Sequence, residues 1–370
     1  PFEGAVNRTS LIVIQKAGKT SFPIPCVIWH NPKSKGIRQE AELEEVKKTT
    51  KQFDLVFIPI EENRPESPWM QVTEKAYEGI KRVLGKSEYK AHRGVTPGLN
   101  QVYWIEILNE APNGLLIRNS SKSGQKKKVK VIEAVIEKDL VYPLIRGRDI
   151  KKWYIKSEHE WIVVPHNPTT GKPIPEDSIK IKYPKTYMYF YFFRKELEKR
   201  SIHKLWGRDN PFYSLYDIGK YTFSNYKVVW KGIAGAITGK AVHFASAAIE
   251  PIKDKYLDKK PVVVPDTLIL TPVTTSSEAY YLTGVLNSSP IGLAIASYTY
   301  ELRQESHILS YIKIPKFNSK DPLHQKLSKL SQKAHEIAKK VYEESREDLK
   351  EDLRKVEAEI DKTVAELYGI

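Results

Sequence analysis

The sequence predicts an α+β protein: the end of an α/β domain, then an irregular, mostly antiparallel β domain with attached helices, then a C-terminal helical segment. Three observations point there. Residues 1–85 mix apolar strand-like runs with amphipathic helical spacing, yet are too short for a complete doubly wound domain. Residues 86–320 carry short apolar runs separated by polar turns. Residues 321–370 repeat their apolar positions at helical spacing.

The elements follow in order. Residues 9–14 (TSLIVI) and 24–29 (IPCVIW) read as a hairpin of buried strands turned at Ala17-Gly18-Lys19-Thr20. Residues 38–51 read as a charged helix and 53–60 as a strand. Residues 69–84 show helical apolar spacing closed by Gly85. Strands are predicted at 102–108, 114–118, 129–137, 160–164, 226–233, 240–245 and 262–270. Helices are predicted at 183–199, 278–286 and 290–303. Leu323, Leu327, Leu330, Ala334, Ile337 and Val341 form one helical stripe; Leu349, Leu353, Val356, Ile360, Val364 and Leu367 form another. The polar stretch 342–352 breaks them into two helices, which pack on the body, on each other or on a subunit. No internal repeat is evident.

Charge narrows the partner. The chain carries +15. Residues 321–370 hold 10 Lys/Arg and 12 Asp/Glu, a net of −2, so the first 320 residues carry +17. A Lys/Glu-rich surface would explain the number of charges but not this imbalance; a polyanion would explain both. A single cysteine, Cys26, excludes an internal disulfide framework and a multi-cysteine zinc site, and fits a reducing, cytoplasmic setting. No apolar run reaches 18 residues, so no transmembrane helix and no membrane partner is expected. The sequence opens on Pro1 without a signal peptide and reads as a piece of a longer protein.

Three segments carry candidate contacts. Ala91–Asn100 (AHRGVTPGLN) is a tight loop in which Arg93, Thr96 and Asn100 supply donors for phosphates or base edges; a plain turn is the alternative. Lys122–Lys130 holds five lysines and no acid, with Lys126, Lys127 and Lys128 in a row, as a basic hairpin tip or a solvated loop. Leu144–Trp153 (LIRGRDIKKW) packs Arg146, Arg148, Lys151 and Lys152 between apolar anchors; the alternative is a surface network in which Asp149 neutralises an arginine. Aromatics at 183–193, 212–226 and 298–311 interleave with Lys185, Lys220, Lys227 and Arg303. They would stack on bases or, more simply, fill the core.

Other patterns fall short of chemistry. Asn210-Pro211-Phe212-Tyr213 approaches the Asn-Pro-Pro-Tyr tetrapeptide of amino-methyltransferases, but its third residue differs and no glycine-rich loop precedes it; it reads as a turn. Gly232–Gly239 lacks the lysine of a phosphate loop. Glu45-Val46-Lys47 and Pro265-Asp266 hold pieces of a nuclease pattern in the wrong order. The histidines show no metal-ligand spacing.

Gly94–Asn100 followed by a strand, then Tyr142–Trp153, resembles the C-terminal specificity domain of TaqI-like and Eco57I-like adenine-N6 DNA methyltransferases, including fused type IIG restriction–modification enzymes. Similar matches follow in order at Phe212–Gly219, Lys227–Trp230, Tyr281–Ser288, Ile312–Pro315 and Glu359–Gly369. The resemblance covers residues 89–370; Phe2–Gln15 is similar to the last motif of the methyltransferase catalytic domain.

The resemblance implies a remnant of that catalytic domain and a connector over 1–85, a DNA target recognition domain over 86–320 and helices over 321–370. It implies double-stranded DNA and an upstream methyltransferase domain as partners, and S-adenosylmethionine as methyl donor of the whole enzyme. The cofactor motif and catalytic tetrapeptide are missing from this sequence, so the chain alone is expected to be inactive. By the resemblance, Phe2 matches the aromatic that stacks on a flipped-out adenine. Arg146, Arg148, Lys151 and Lys152 would contact phosphates or guanine edges, with Arg93, Thr96, Asn100, Lys185 and Lys227 beside them and Lys126–Lys128 on the backbone. Two alternatives stand: a non-enzymatic specificity subunit, which would need a second recognition domain, and a complete nucleic-acid enzyme with unrecognised motifs.

Overall fold

The computed structural model describes residues 11–16, 18–31, 37, 40–120, 129–206, 209–232, 244–299 and 306–370. Two compact units are formed, Pro1–Glu74 and Lys75–Ile370.

In the first unit, strands β1 (Ile24–His30), β2 (Lys51–Pro59) and β3 (Trp69–Val72) make an antiparallel sheet in that order, with helix α1 (Leu43–Thr49) between the first two strands. Register places Ile24 opposite Phe57 and Ile28 opposite Phe53. Ile24, Cys26 and Ile28 therefore share a face with Phe53, Leu55 and Phe57, because residues directly opposite in a ladder point the same way. Two expectations change here. Leu11–Ile14 is exposed and forms no strand, and β1 pairs with β2 instead. Trp69–Val72 leaves the predicted helix for β3, where Met70 and Val72 bury on one face beside Ile58 and Val56. Four residues at helical spacing also satisfy alternation, and pairing decides between the two. Helix α2 runs Glu74–Val83.

The second unit is built on two antiparallel sheets. One takes β5 (Trp104–Ala111), β6 (Gly114–Asn119), β7 (Glu133–Ile136), β8 (Val141–Leu144) and β11 (Glu160–Val163) in the order β7-β6-β5-β11-β8. The other takes β4 (His92–Arg93), β12 (Tyr226–Lys231), β13 (Ser246–Ile249) and β14 (Leu268–Val273) in the order β13-β12-β14-β4. A ribbon of β9 (Ile150–Lys151) and β10 (Tyr154–Ile155) stands apart. The expected α+β class with mostly antiparallel sheets is what the chain adopts.

Prolines explain one displaced strand. Val262–Val264 is fully buried, as its apolar run demands, but lies between Pro261 and Pro265. It makes only isolated bridges, and the ladder strand starts later, at Leu268.

Helices α3 (Asn100–Tyr103), α4 (Glu176–Lys182), α5 (Pro184–Phe192) and α6 (Arg194–Glu198) share a core with the five-stranded sheet, and α7 (Ser201–Trp206) packs on α6. Tyr187, Tyr189, Phe190, Phe193, Phe212 and Tyr213 join one core with Tyr103, Ile105 and Ile162, so most of the aromatic-rich segment is packing. Asn210–Tyr213 is a turn, with Phe212 and Tyr213 buried.

Helices α8 (Ser276–Asn287) and α9 (Ser289–Tyr298) lead to α10 (Pro322–Glu343) and α11 (Lys350–Tyr368), and residues 344–349 break the last two. Asp321 caps α10 by accepting from the Leu323 and His324 amides, and Pro322 fits the first turn. The stripe Leu327, Ala334, Ala338 and Val341 is buried, as are Val356, Ile360 and Val364. α10 packs on both α8 and α11, so these stripes are satisfied within the chain. Among the described residues no helix is long and apolar enough to cross a membrane.

Candidate nucleic-acid interface

The loop after β4 is the joint between the two sheets. Val95 donates to Val264 O at 2.9 Å, Asp266 donates back to Val95 O at 2.9 Å, and Thr96 exchanges two backbone bonds with Tyr216. Gly94 is required here, because a Cβ would lie 2.2 Å from Pro265 O. Gly98 has φ +68°, a conformation that a side chain disfavours.

Arg200 locks the loop from below. Its buried guanidinium donates to Pro97 O at 2.6 Å, Ser214 O at 3.0 Å and Phe212 O at 2.6 Å. A guanidinium is always charged and rigidly forked, so its bonds to carbonyls of both loops fix the two at once. Sequence reading missed this residue, since nothing in the charged pattern around it separates it from its solvated neighbours.

The resulting rim is mixed in charge. Arg93 is exposed and its Nε donates to Asp266 O at 3.2 Å. The Thr96 hydroxyl donates to Asp217 Oδ2 at 2.6 Å. Asn100, half-buried, opens α3. Burial, more than the neighbouring charge of Asp217, pushes the Asp266 carboxyl up, while Arg93 pulls it down. His203 meets the Tyr216 hydroxyl at 2.9 Å, and His92 stacks on Tyr221 with ring centroids 3.9 Å apart. Arg93 and Thr96 are thus linked through Asp266 and Asp217, two acids that were not anticipated, while Asn100 stands at the start of α3.

The segment 144–153 is a clasp within the chain. Both Glu160 oxygens lie near Arg146 Nη1, at 3.4 and 3.3 Å, and Oε1 also accepts from Arg148 Nη2 at 2.5 Å. Arg146 lies 4.3 Å from the Trp104 ring centroid. Asp149 accepts from the Arg146 amide at 2.8 Å and lies 3.6 Å from Arg148 Nε. Lys151 sits 3.9 Å from the Tyr342 ring centroid, and Lys152 pairs with Glu357 at 2.7 Å. Trp153 is buried with φ +63° and donates its indole N–H to Glu357 at 2.7 Å. Tyr154 and Ser157 bond Glu343. The segment therefore docks α10 and α11, and much of its charge is balanced inside the chain. Arg148 and Lys151 remain exposed.

One predicted contact is corrected. Lys227 is completely buried, donates to Val262 O at 2.9 Å and to Ser224 O, and burial lowers its ammonium to about 7. A side chain in that position braces the β12 sheet and cannot reach a nucleic acid. Lys185 is half-buried and its ammonium closes the β5–β6 turn through Pro112 O at 3.0 Å and Asn113 O at 3.1 Å. Phe2 and Lys126–Lys128 lie outside the described residues. Among the described residues no group of three or more His, Cys, Asp or Glu is placed to hold a metal.

No family model matches the chain. A type II methyltransferase of Nostoc sp., M.NspV, is 26% identical over 160 residues, covering 42% of this chain and 28% of that protein. The match thus spans little more than a quarter of the curated relative. Among solved structures, the type IIL restriction-modification enzyme MmeI in complex with DNA aligns with a TM-score of 0.44 and 10% identity, over 78% of this chain and 34% of its own. The type IIG restriction endonuclease BpuSI aligns with a TM-score of 0.33 and 15% identity, over 79% of this chain and 33% of its own. The resemblance to restriction–modification methyltransferases read from the motifs thus has a curated counterpart in M.NspV.

Proposed function

We propose that this chain is the DNA-recognition portion of an adenine-N6 DNA methyltransferase or fused restriction–modification enzyme, and that it binds duplex DNA sequence-specifically. One observation carries the reading: the ordered motifs from Gly94 to Gly369 belong to a chain similar to a type II methyltransferase. The net charge of +17 on residues 1–320 supports a polyanionic partner. In this reading the rim of Arg93, Thr96 and Asn100 reads bases, Arg148 and Lys151 add phosphate contacts, and Lys126–Lys128 hold the backbone.

The domain assignment 1–85, 86–320 and 321–370 belongs to the same proposal. The first-unit sheet supports a neighbouring domain: Phe53 and Trp69 are 47% and 45% exposed on a face that also carries Ile24, Cys26, Ile28, Leu55 and Phe57. An upstream methyltransferase domain would cover it, bring S-adenosylmethionine and carry out the transfer. Phe2 would then stack on the flipped adenine. This chain's residues include no glycine-rich cofactor loop, so no step of the transfer is assigned to them. A subunit contact at α10 and α11 would use their charged outer faces.

The test is duplex binding by the chain itself, followed by fluorescence anisotropy across a salt series and by selection from a random duplex pool. The expected result is salt-dependent binding, enrichment of one sequence and no methyl transfer from labelled S-adenosylmethionine. Absence of binding at low salt, or methylation by this chain alone, overturns the proposal.

A further inference from the structure

Asp217 occupies an unusual place on the rim. The residue before it, Tyr216, is held to Thr96 by backbone bonds of 2.8 and 3.2 Å in both directions. Asp217 itself turns outward with φ +51°, is exposed, and accepts the Thr96 hydroxyl on Oδ2 at 2.6 Å. Aspartate adopts a left-handed backbone more readily than most residues, and here that backbone sets the direction of the side chain. The Thr96 bond leaves the carboxylate aimed and partly satisfied rather than free to rotate.

The sign of the charge matters. Arg93 and Asp266 flank this position, and Asp217 is near enough that its charge helps raise the Asp266 carboxyl. A rim made only to grip phosphates would be weakened by two carboxylates. A carboxylate is, however, the acceptor that suits the amino group of cytosine in the major groove. Adenine is the poorer fit, because its edge pairs an amino donor with a ring-nitrogen acceptor and calls for an amide.

We propose that Asp217, oriented by Thr96, is a specificity-determining residue that accepts a hydrogen bond from the N4 amino group of one cytosine in the recognised site. The inference rests on the DNA-recognition reading above and deepens it.

The experiment compares the full chain with its Asp217→Asn and Thr96→Val variants in selection from a random duplex pool, with thermal unfolding measured in parallel. Asparagine tolerates the left-handed backbone. In Asp217→Asn the preference for cytosine at one position should fall by roughly tenfold to a hundredfold, with the other positions kept. Binding to non-cognate duplex should hold or tighten, because a negative charge is lost. Thr96→Val should relax the same position to a smaller degree. Equal tightening on all sequences with the preference intact would show a purely electrostatic effect and overturn the inference. Should Asp217→Asn unfold the chain, Asp217→Gly, which suits the left-handed backbone, decides: relaxation at a cytosine upholds the inference, and an unchanged preference overturns it. A wild-type chain that binds duplex but enriches nothing removes the recognition reading and this inference together. One that enriches a site without a cytosine dependence on Asp217 removes only the inference.

Discussion

Replacing Glu160 with glutamine separates clasp from grip in the segment 144–153. Glu160 sits on β11 opposite Leu144, which places its carboxylate beside both arginines of the segment. Arg146 is 18% exposed in its side chain and rests on Trp104, so it keeps its place when the carboxylate goes. Arg148 is 61% exposed, and a pair of that exposure contributes about 0–1 kcal/mol. The glutamine oxygen still accepts one bond, so the fold should lose about 1 kcal/mol or less.

With Asp149 still 3.6 Å from Arg148 Nε, the pair of arginines would then present one unbalanced positive charge. One additional phosphate contact raises the slope of log affinity against log salt by about 0.9 in magnitude. With roughly 1 kcal/mol gained at low salt, the Kd should fall about fivefold. Anisotropy titrations at several salt concentrations read both quantities. Adding Arg148→Ala to Glu160→Gln should cancel the gain. A folded Glu160→Gln chain that binds DNA with unchanged Kd and slope would refute the idea that these arginines face phosphate, and would leave the segment a purely structural clasp.

Two further outcomes follow from the geometry. Burial lowers the Lys227 ammonium in the folded chain to about 7, below its unfolded value of roughly 10.4, so between these pH values the unfolded state binds the extra proton. Stability from this group therefore rises as pH increases from about 7 and is lost as pH falls; in Lys227→Met, chemical denaturation from pH 7 to 9 should show a flatter dependence, and an unchanged one would show that Lys227 stays charged. Gly94→Ala places a methyl 2.2 Å from Pro265 O, a backbone atom that cannot swing aside, and should cost about 1–3 kcal/mol with loss of sequence preference in DNA selection; an unaltered melting temperature would show that the joint between the sheets yields.

Legibility of the fold varied with the range of the interactions that decide it. The C-terminal helices and the break between them were plain, because capping by Asp321 and the stripes through Leu327 and Val356 are local in sequence. The helix–strand switch at Trp69–Val72 was not, because only pairing with Val56–Pro59 settles it. Among the candidate contacts, Arg93 bonds Asp266 and Thr96 bonds Asp217, partners that lie far along the chain. Lys227 carried no sign of burial, since a lysine flanked by Tyr226 and Val228 reads equally well as an exposed strand residue. Arg200, Asp217 and Glu160 act through partners from 12 to 121 residues away, a distance that no local pattern encodes.

The sequence by itself determined the α+β class, the basic body, the acidic helical tail and the ordered motifs that resemble a DNA-methyltransferase specificity domain. Those properties are sums and periodicities, and they do not depend on which side chain meets which. Tertiary structure decided what the charges face. Arg146 and Arg148 meet Glu160, Lys152 meets Glu357, Lys185 closes a turn and Lys227 is sealed in the core. A cation's reach is set by the acceptors that folding brings within a few ångströms of it, and these come from distant parts of the chain.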